Sequence, residues 1–392
     1  MTKGKSTTTK KGKLPAGVRF IKSGRYEKRF TVGGVRYSVY GDTVRKCLEK
    51  ETEKRMEIAA GTYRNNSSIT LNDYFKEWEK QKAAAVSPAT MHLYRQKYGL
   101  YIRKPLGGYK VKDIERRQIQ GLLSKIADSV SIYTANSCKA LLSQIFKSAC
   151  YDEIITHSAM DTIPSFKNKG ATPARETIHR ALTDKEIAAF MSATGKTYYG
   201  NAFRFMLATG LRAGECAALE WQDIDTAKGL IHVRRTTTRD MEGKIIIGNT
   251  TKTKKSRRDI PLNREMLAIL AKQEAQNTAL FGNVISINGL VFPNTKGGAA
   301  HASLLNTVIE ETIGKYNRHI AKGKVQGPPL ELFTVHAFRD TFASKAAAAG
   351  VPLNVLKELL GHSSYAMTAD LYGHIYEEQK KAAMENLKIV TM

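Results

Sequence analysis

The chain has 392 residues, more than one hydrophobic core ordinarily holds, so two or three domains are expected. Its 62 Lys and Arg against 36 Asp and Glu leave a formal charge of +26, which repels itself unless a polyanion neutralises it; nucleic acid is the first candidate partner and an anionic membrane surface the second. No apolar run approaches the roughly 20 residues that span a bilayer, MTKGKSTTTKKGK lacks the apolar stretch of a signal peptide, and Cys47, Cys138, Cys150 and Cys216 form no C-x-x-C pair. A soluble, cytoplasmic protein without a membrane partner, zinc site or disulfide framework is therefore expected.

Residues 1–13, almost purely Lys, Thr, Ser and Gly, read as a basic flexible arm. Three strand-like runs follow, Val18–Ile21, Tyr26–Val32 and Val35–Tyr40, separated by the hairpin signals Ser23-Gly24 and Gly33-Gly34. Asp42 or Thr43 can cap a charged helix reaching about Ala59. Residues 14–62 thus form a small module of three strands and one helix. Its strands gather Arg19, Lys22, Arg25, Lys28, Arg29 and Arg36, which suits either a solvated face or a sheet that binds DNA.

Residues 68–165 read as all helix. Thr70 with Asp73 gives a loose capping box, and Leu71, Phe75 and Trp78 then share a face. Ser87-Pro88 pairs an N-cap with proline at the first helical position, and Met91, Tyr94 and Tyr98 follow at helical spacing. Further helices are expected over Lys112–Ala127 and Ser131–Tyr151. The basic, aperiodic stretch 166–179 is a linker. A capping box, Thr183 with Glu186, opens the last domain, 180–392, whose interior holds strand-like Leu230–Arg235, Lys244–Gly248 and Arg257–Leu262.

Four segments of this last domain carry chemistry. In Ala208-Thr-Gly-Leu-Arg212-Ala-Gly-Glu215 an arginine sits at a helix boundary, although a surface Arg–Glu pair would look the same. Thr251-Lys252-Thr-Lys254 to Pro261-Leu262 reads as a basic hairpin turn between two strands. His336-Ala-Phe-Arg339 sets an imidazole and a guanidinium on one helical face, where a single phosphate could meet both. Leu360-Gly361-His362-Ser-Ser precedes Tyr372 by ten residues.

Each segment has a bland reading, but the ordered set resembles the tyrosine recombinase (phage integrase) family. The likeness is strong over the last domain and looser over the helical one. The N-terminal module resembles the arm-site-binding domain of integrases from conjugative transposons and phages. The resemblance implies a multidomain α+β chain: a three-stranded sheet plus helix module, an all-α core-binding domain, and a mostly α catalytic domain with a small antiparallel sheet. It implies Arg212, Lys252, His336, Arg339, His362 and Tyr372 as catalytic residues and Glu215 as their support. Lys254 is the alternative to Lys252, because the spacing to Ile260-Pro261 is about one residue longer than in many relatives; otherwise it is a DNA contact.

These residue types suit phosphodiester exchange without metal or other cofactor. A phenolate both attacks and leaves, so a tyrosyl linkage is reversible. Two arginines supply fixed positive forks for the non-bridging oxygens. Histidines can bond the phosphate and handle the tyrosine proton, and a lysine can protonate the departing 5′-oxygen. The implied activity is integration and excision of a mobile element through a 3′-phosphotyrosine and a Holliday junction. The implied partners are double-stranded DNA at core and arm sites, three further copies of the chain in the synaptic complex, and an accessory excision factor. A dimer resolvase, a type IB topoisomerase and a catalytically silent DNA-binding regulator are the competing readings. A zinc hydrolase on His336, His362 and His374 lacks any H-E-x-x-H spacing.

Overall fold

The computed structural model describes residues 14–21, 24–60, 68–167, 180–195, 197–248, 257–282 and 289–362. These residues divide into two compact units, both of which draw on the helical segment. One unit takes in the described residues up to Lys76 together with Arg103–Leu122 and Leu142–Ile163. The other takes in Glu77–Ile102, Leu123–Leu141 and the described residues from Pro164 onward.

In the first unit β1 (Val18–Phe20), β2 (Tyr26–Val32) and β3 (Val35–Gly41) form an antiparallel meander. Val32 pairs with Val35 across Gly33-Gly34, both at positive φ, the backbone that a two-residue hairpin turn demands. α1 (Val44–Ala59) starts where Thr43 accepts from the Lys46 N–H at 3.2 Å, as the capping signal predicts. Phe30, Val39 and Cys47 are buried between sheet and helix.

The helical segment contributes α2 (Leu71–Ala83), α3 (Pro88–Lys97), a π-helical turn at Tyr98–Ile102, α4 (Arg103–Leu106), α5 (Arg116–Ser129) and α6 (Ile132–Tyr151). Ser87 caps α3 with Pro88 at its first position. α5 begins later than the periodicity predicts. Val111–Asp113 is a short 3-10 turn, Ile114 is extended, and the Glu115 N–H is taken by the Gln118 side chain at 2.8 Å, so the helix starts at Arg116.

In the second unit α7 (Asp184–Thr194), α8 (Gly200–Thr209), α9 (Ala213–Ala217), α10 (Arg264–Phe281), α11 (Ala302–Ala321), α12 (His336–Ala348) and α13 (Leu353–Leu360) surround small sheets. The Thr183–Glu186 capping box is complete. Phe190, Phe203, Phe333 and Phe338 make edge-to-face and tilted contacts at the centre of the core.

The strands correct one expectation. β4 (Ile224–Asp225), β5 (Leu230–Val233) and β8 (Arg258–Pro261) form one sheet, and β6 (Thr236–Arg239) pairs with β7 (Ile245–Gly248) in another. The basic segment therefore does not turn a hairpin between paired strands, because β7 and β8 have different partners. The hairpin turn is at Asp240–Lys244, held by the Asp240 side chain accepting from the Lys244 N–H at 2.8 Å. From Thr236↔Gly248 to Val233↔Arg258 the outgoing chain uses only Arg234 and Arg235, while the returning chain uses 249–257. That inserted stretch contains Lys252 and Lys254, both outside the described residues.

Candidate active site

The site is built where two helix stops meet the first turn of α12. α8 ends at Thr209, and Gly210 takes the left-handed conformation (φ 66°) that stops the helix. A Cβ there would stand 2.4 Å from the Phe342 ring, so glycine is needed for space as well as for backbone. Leu211 follows, and Arg212 stands at the N-cap position of the short helix α9. The sequence reading placed Arg212 at a helix boundary, and that is where it lies.

α13 ends the same way. Gly361 is left-handed (φ 64°), its N–H bonds Glu358 O at 3.0 Å, and the His362 N–H bonds Lys357 O at 3.1 Å. That pair of bonds is a Schellman motif, so Leu-Gly-His is a helix stop that fixes the backbone of the histidine after it. Three successive carbonyls at this stop each accept from a different arginine. Leu359 O takes Arg258 Nε (2.6 Å), Leu360 O takes Arg339 Nη2 (2.5 Å), and Gly361 O takes Arg212 Nη2 (3.3 Å). Carbonyls at a helix C-terminus lack partners within the helix and carry partial negative charge, so guanidinium forks suit them.

Arg339 projects from the first turn of α12 and is 2 % exposed; its Nη1 also bonds Gly210 O at 2.9 Å, joining the two glycine stops. His336 begins the same helix, is half-exposed, and has its Nε2 3.9 Å from Asp340. Glu215 is buried and ties the arginines together. It accepts from the Arg212 backbone N–H (3.0 Å) and Nη1 (2.8 Å), and from Arg258 Nη1 (3.1 Å) and Nη2 (2.9 Å). Burial alone would push this carboxyl up, but Arg258 and Arg212 overcome it and hold it down at about 2. It is a carboxylate at any working pH. His362, also buried, is driven the other way, to about 4, by burial first and then by Arg339, Arg212, Arg258 and His336. Its imidazole is neutral near pH 7, with one nitrogen to donate and one to accept.

The structure thus brings together Arg212, Glu215, His336, Arg339 and His362. Tyr372, Lys252 and Lys254 lie outside the described residues. The sequence reading missed Arg258, hidden in a run of five basic residues within 252–258. Its signal was strand alternation: along β8 Arg258 and Ile260 point inward while Asp259 and Pro261 point out. Among the described residues no three His, Cys, Asp or Glu side chains gather as a metal site requires, and no helix is long and apolar enough to cross a membrane.

The basic residues of the N-terminal sheet are sorted by register. Arg19, Glu27 and Tyr40 are cross-strand partners, as are Arg29 with Ser38 and Thr31 with Arg36, so Arg19, Arg29 and Arg36 share one face. Lys28 pairs with Val18 and buried Val39 on the face toward α1, where its Nζ lies 3.6 Å from Glu51 and donates to Ala16 O. Arg25 sits before β2, 3.4 Å from Asp42. Lys22 is outside the described residues. The arginine face also holds a buried acid that the sequence reading did not weigh. Glu27 accepts from Arg19, from Arg29 Nε at 3.0 Å and from Tyr40 at 3.2 Å. Burial raises its carboxyl, but the two arginines win and keep it below its ordinary value.

Residues 180–379, which hold the whole arginine–glutamate–histidine cluster, match the model of the phage integrase family. The chain belongs to the phage integrase family. Residues 70–127 match the N-terminal SAM-like domain of phage integrases, over α2 to most of α5. The chain is similar to a XerC-like tyrosine recombinase of Caldanaerobacter subterraneus, with 27% identity covering 94% of this chain and 97% of the relative. It is similar over the same share to the ICEBs1 integrase of Bacillus subtilis, at 25% identity and 98% of that protein. Among solved structures, the Tn1549 transposon integrase in complex with a circular intermediate DNA shares the fold, with a TM-score of 0.65 and 22% identity. That likeness covers 82% of this chain and 100% of the other. A lambda integrase tetramer bound to a Holliday junction aligns at a TM-score of 0.57 and 19% identity, over 90% and 96%. This phage integrase family member is a tyrosine-type site-specific recombinase with the multidomain α+β architecture that its sequence implied.

Proposed function

We propose that the chain integrates and excises a mobile element by exchanging DNA strands through a phosphotyrosine at Tyr372. The observation that carries this reading is the gathering of Arg212, Arg339, Glu215 and neutral His362 at the end of α13, ten residues before Tyr372. The oxygen of Tyr372 attacks the scissile phosphorus, a bond forms to the 3′-phosphate, and the bond to the 5′-oxygen breaks. Arg212 and Arg339 stabilise the extra negative charge of the pentacovalent transition state, in place of a divalent cation. Both are pre-oriented by carbonyls and by Glu215, so little reorganisation remains when charge develops. Neutral His362 can bond a phosphate oxygen or take up the tyrosine proton, and His336, the more exposed, can share either task. Lys252, or Lys254 in its place, donates the proton that lets the 5′-hydroxyl depart. A 5′-hydroxyl from a second duplex then reverses the step, conserving the bond without ATP.

Double-stranded DNA is the partner that answers the charge of +26. The ordered exchange of two strand pairs calls for four protomers around a Holliday junction. The arginine face of the sheet module reads arm-type sites distinct from the core site, and this second kind of site favours a mobile-element integrase over a dimer resolvase. An accessory excision factor would act through such sites. A two-plasmid recombination assay with the element's own junction sequences tests the reading. Wild-type protein should yield joined products and Tyr372→Phe none. Recombination by Tyr372→Phe, or joining confined to dimer-resolution sites, would contradict it.

A further inference from the structure

Arg258 is the one arginine of the cluster with no place in the chemistry proposed above, yet it is among the most buried. Its side chain is 6% exposed, against 38% for Arg212. A buried cation is costly unless every direction of it is answered, and a buried ion pair often contributes little net stability. Here the pair serves geometry. Two nitrogens grip both oxygens of Glu215 in the fork arrangement that only arginine can make, and the third holds Leu359 O. Glu215 in turn fixes both the backbone and the guanidinium of Arg212. Leu359 O lies in the last turn before the Schellman stop, whose next residues are Gly361 and His362. Arg258 therefore spans the two segments that carry Arg212 and His362. The stop is fitted around it: a Cβ on Gly361 would come within 3.0 Å of Arg258 Nη1 and 3.2 Å of its Cδ.

From this geometry we infer that Arg258 is a positioning residue, which sets the spacing between the Arg212 guanidinium and the His362 imidazole through Glu215 and the α13 stop. It touches no reacting atom. The role rests on the recombinase reading above, because it gives Arg258 a part only if Arg212 and His362 meet the scissile phosphate. A displacement of about 1 Å in a charge-stabilising group is enough to cost on the order of 10²-fold in rate.

The test is single-turnover cleavage of a nicked core-site duplex by the full chain, with wild type, Arg258→Lys and Arg258→Gln. Lysine keeps a cation beside Glu215 and cannot bridge to Leu359 O. Glutamine keeps a donor without charge, and a thermal melt identifies which variants are folded. DNA affinity should stay within about threefold, while Arg258→Lys cleaves about 10–10²-fold more slowly. Two further readouts separate positioning from general support. On a duplex whose scissile phosphate is a methylphosphonate, one of the two charged non-bridging oxygens is replaced by a methyl group, so there is less charge for Arg212 to answer and the difference between wild type and Arg258→Lys should shrink severalfold. In an Arg212→Ala background, Arg258→Lys should add little further loss. A variant that cleaves at the wild-type rate would overturn the role. So would losses that multiply with Arg212→Ala and persist undiminished on the methylphosphonate. If wild type itself formed no covalent adduct, the recombinase reading would fall and this role with it.

Discussion

Arginine is set in two different ways in this molecule, and the contrast lies in what holds it. On the N-terminal sheet Arg19 and Arg29 have side chains 55% and 46% exposed, and they share one acid, Glu27, beneath them. In the cluster at the α13 stop Arg339 is 2% exposed and the Arg258 side chain 6%, the Arg212 side chain is 38% exposed but gripped by Glu215, and all three are tied to backbone carbonyls. A solvated guanidinium releases counterions when it meets a phosphate, which gives affinity that salt erodes. A buried one has met its desolvation cost during folding, so it can stabilise charge that appears only in the transition state. The sheet should therefore govern how well and where the chain binds, and the cluster how fast it cleaves.

The sharpest way to break that division is to change one arginine of each kind. Arg339→Lys keeps the charge and loses the fork across Gly210 O and Leu360 O. Cleavage of a core-site duplex should fall by roughly 10²–10³-fold with core-site affinity nearly unchanged. Arg29→Ala should leave core-site cleavage within about twofold. It should lower the slope of log affinity against log salt for arm-type DNA by about 1. Loss of cleavage in Arg29→Ala, or a changed salt slope as the main effect of Arg339→Lys, would erase the distinction.

A smaller effect separates the buried groups by pH. His362 titrates at about 4 in the folded chain against an ordinary value of 6.5. Between those values the unfolded chain takes up the proton and the folded one does not, so acidification favours unfolding. The contribution is complete above pH 6.5 and is lost as pH falls toward 4. Glu215, held at about 2 against 4.5, adds its own loss only below pH 4.5. Thermal melts between pH 7 and 5 should fall more steeply for wild type than for His362→Asn, by a few degrees, because about 1 kcal/mol moves a domain of this size roughly 2–4 °C. Parallel curves would mean that His362 is less buried among the arginines than its surroundings indicate.

Much of the fold was legible because the signals were local. Thr43, Ser87 and Thr183 start helices where their side chains reach a backbone N–H a turn away, and Gly33-Gly34 marks a hairpin by its backbone alone. Arg212, His336, Arg339 and His362 could be picked out because each lies in a short motif next to a helix end. What depended on distant partners was hidden. The basic segment looked like a hairpin turn because its flanks are strand-like, and only the pairing of β7 with β6 and β8 with β5 shows otherwise. Arg258 was indistinguishable from its basic neighbours until the register turned it inward onto Glu215, 43 positions away along the chain. Lys28 was grouped with the strand arginines by composition, but a one-residue step along a strand reverses the face.

Tyrosine chemistry at residue 372, on the proposed reading, is served by arginines and histidines gathered at the α13 stop. It is tested most directly by trapping the protein on a nicked core-site duplex in excess EDTA, digesting the adduct and mapping the DNA-linked peptide. The expected product is a peptide joined through Tyr372 to the 3′-phosphate with a free 5′-hydroxyl on the released strand, and no adduct from Tyr372→Phe. Attachment at Tyr365 or Tyr376, or an adduct that needs a divalent cation, would contradict it.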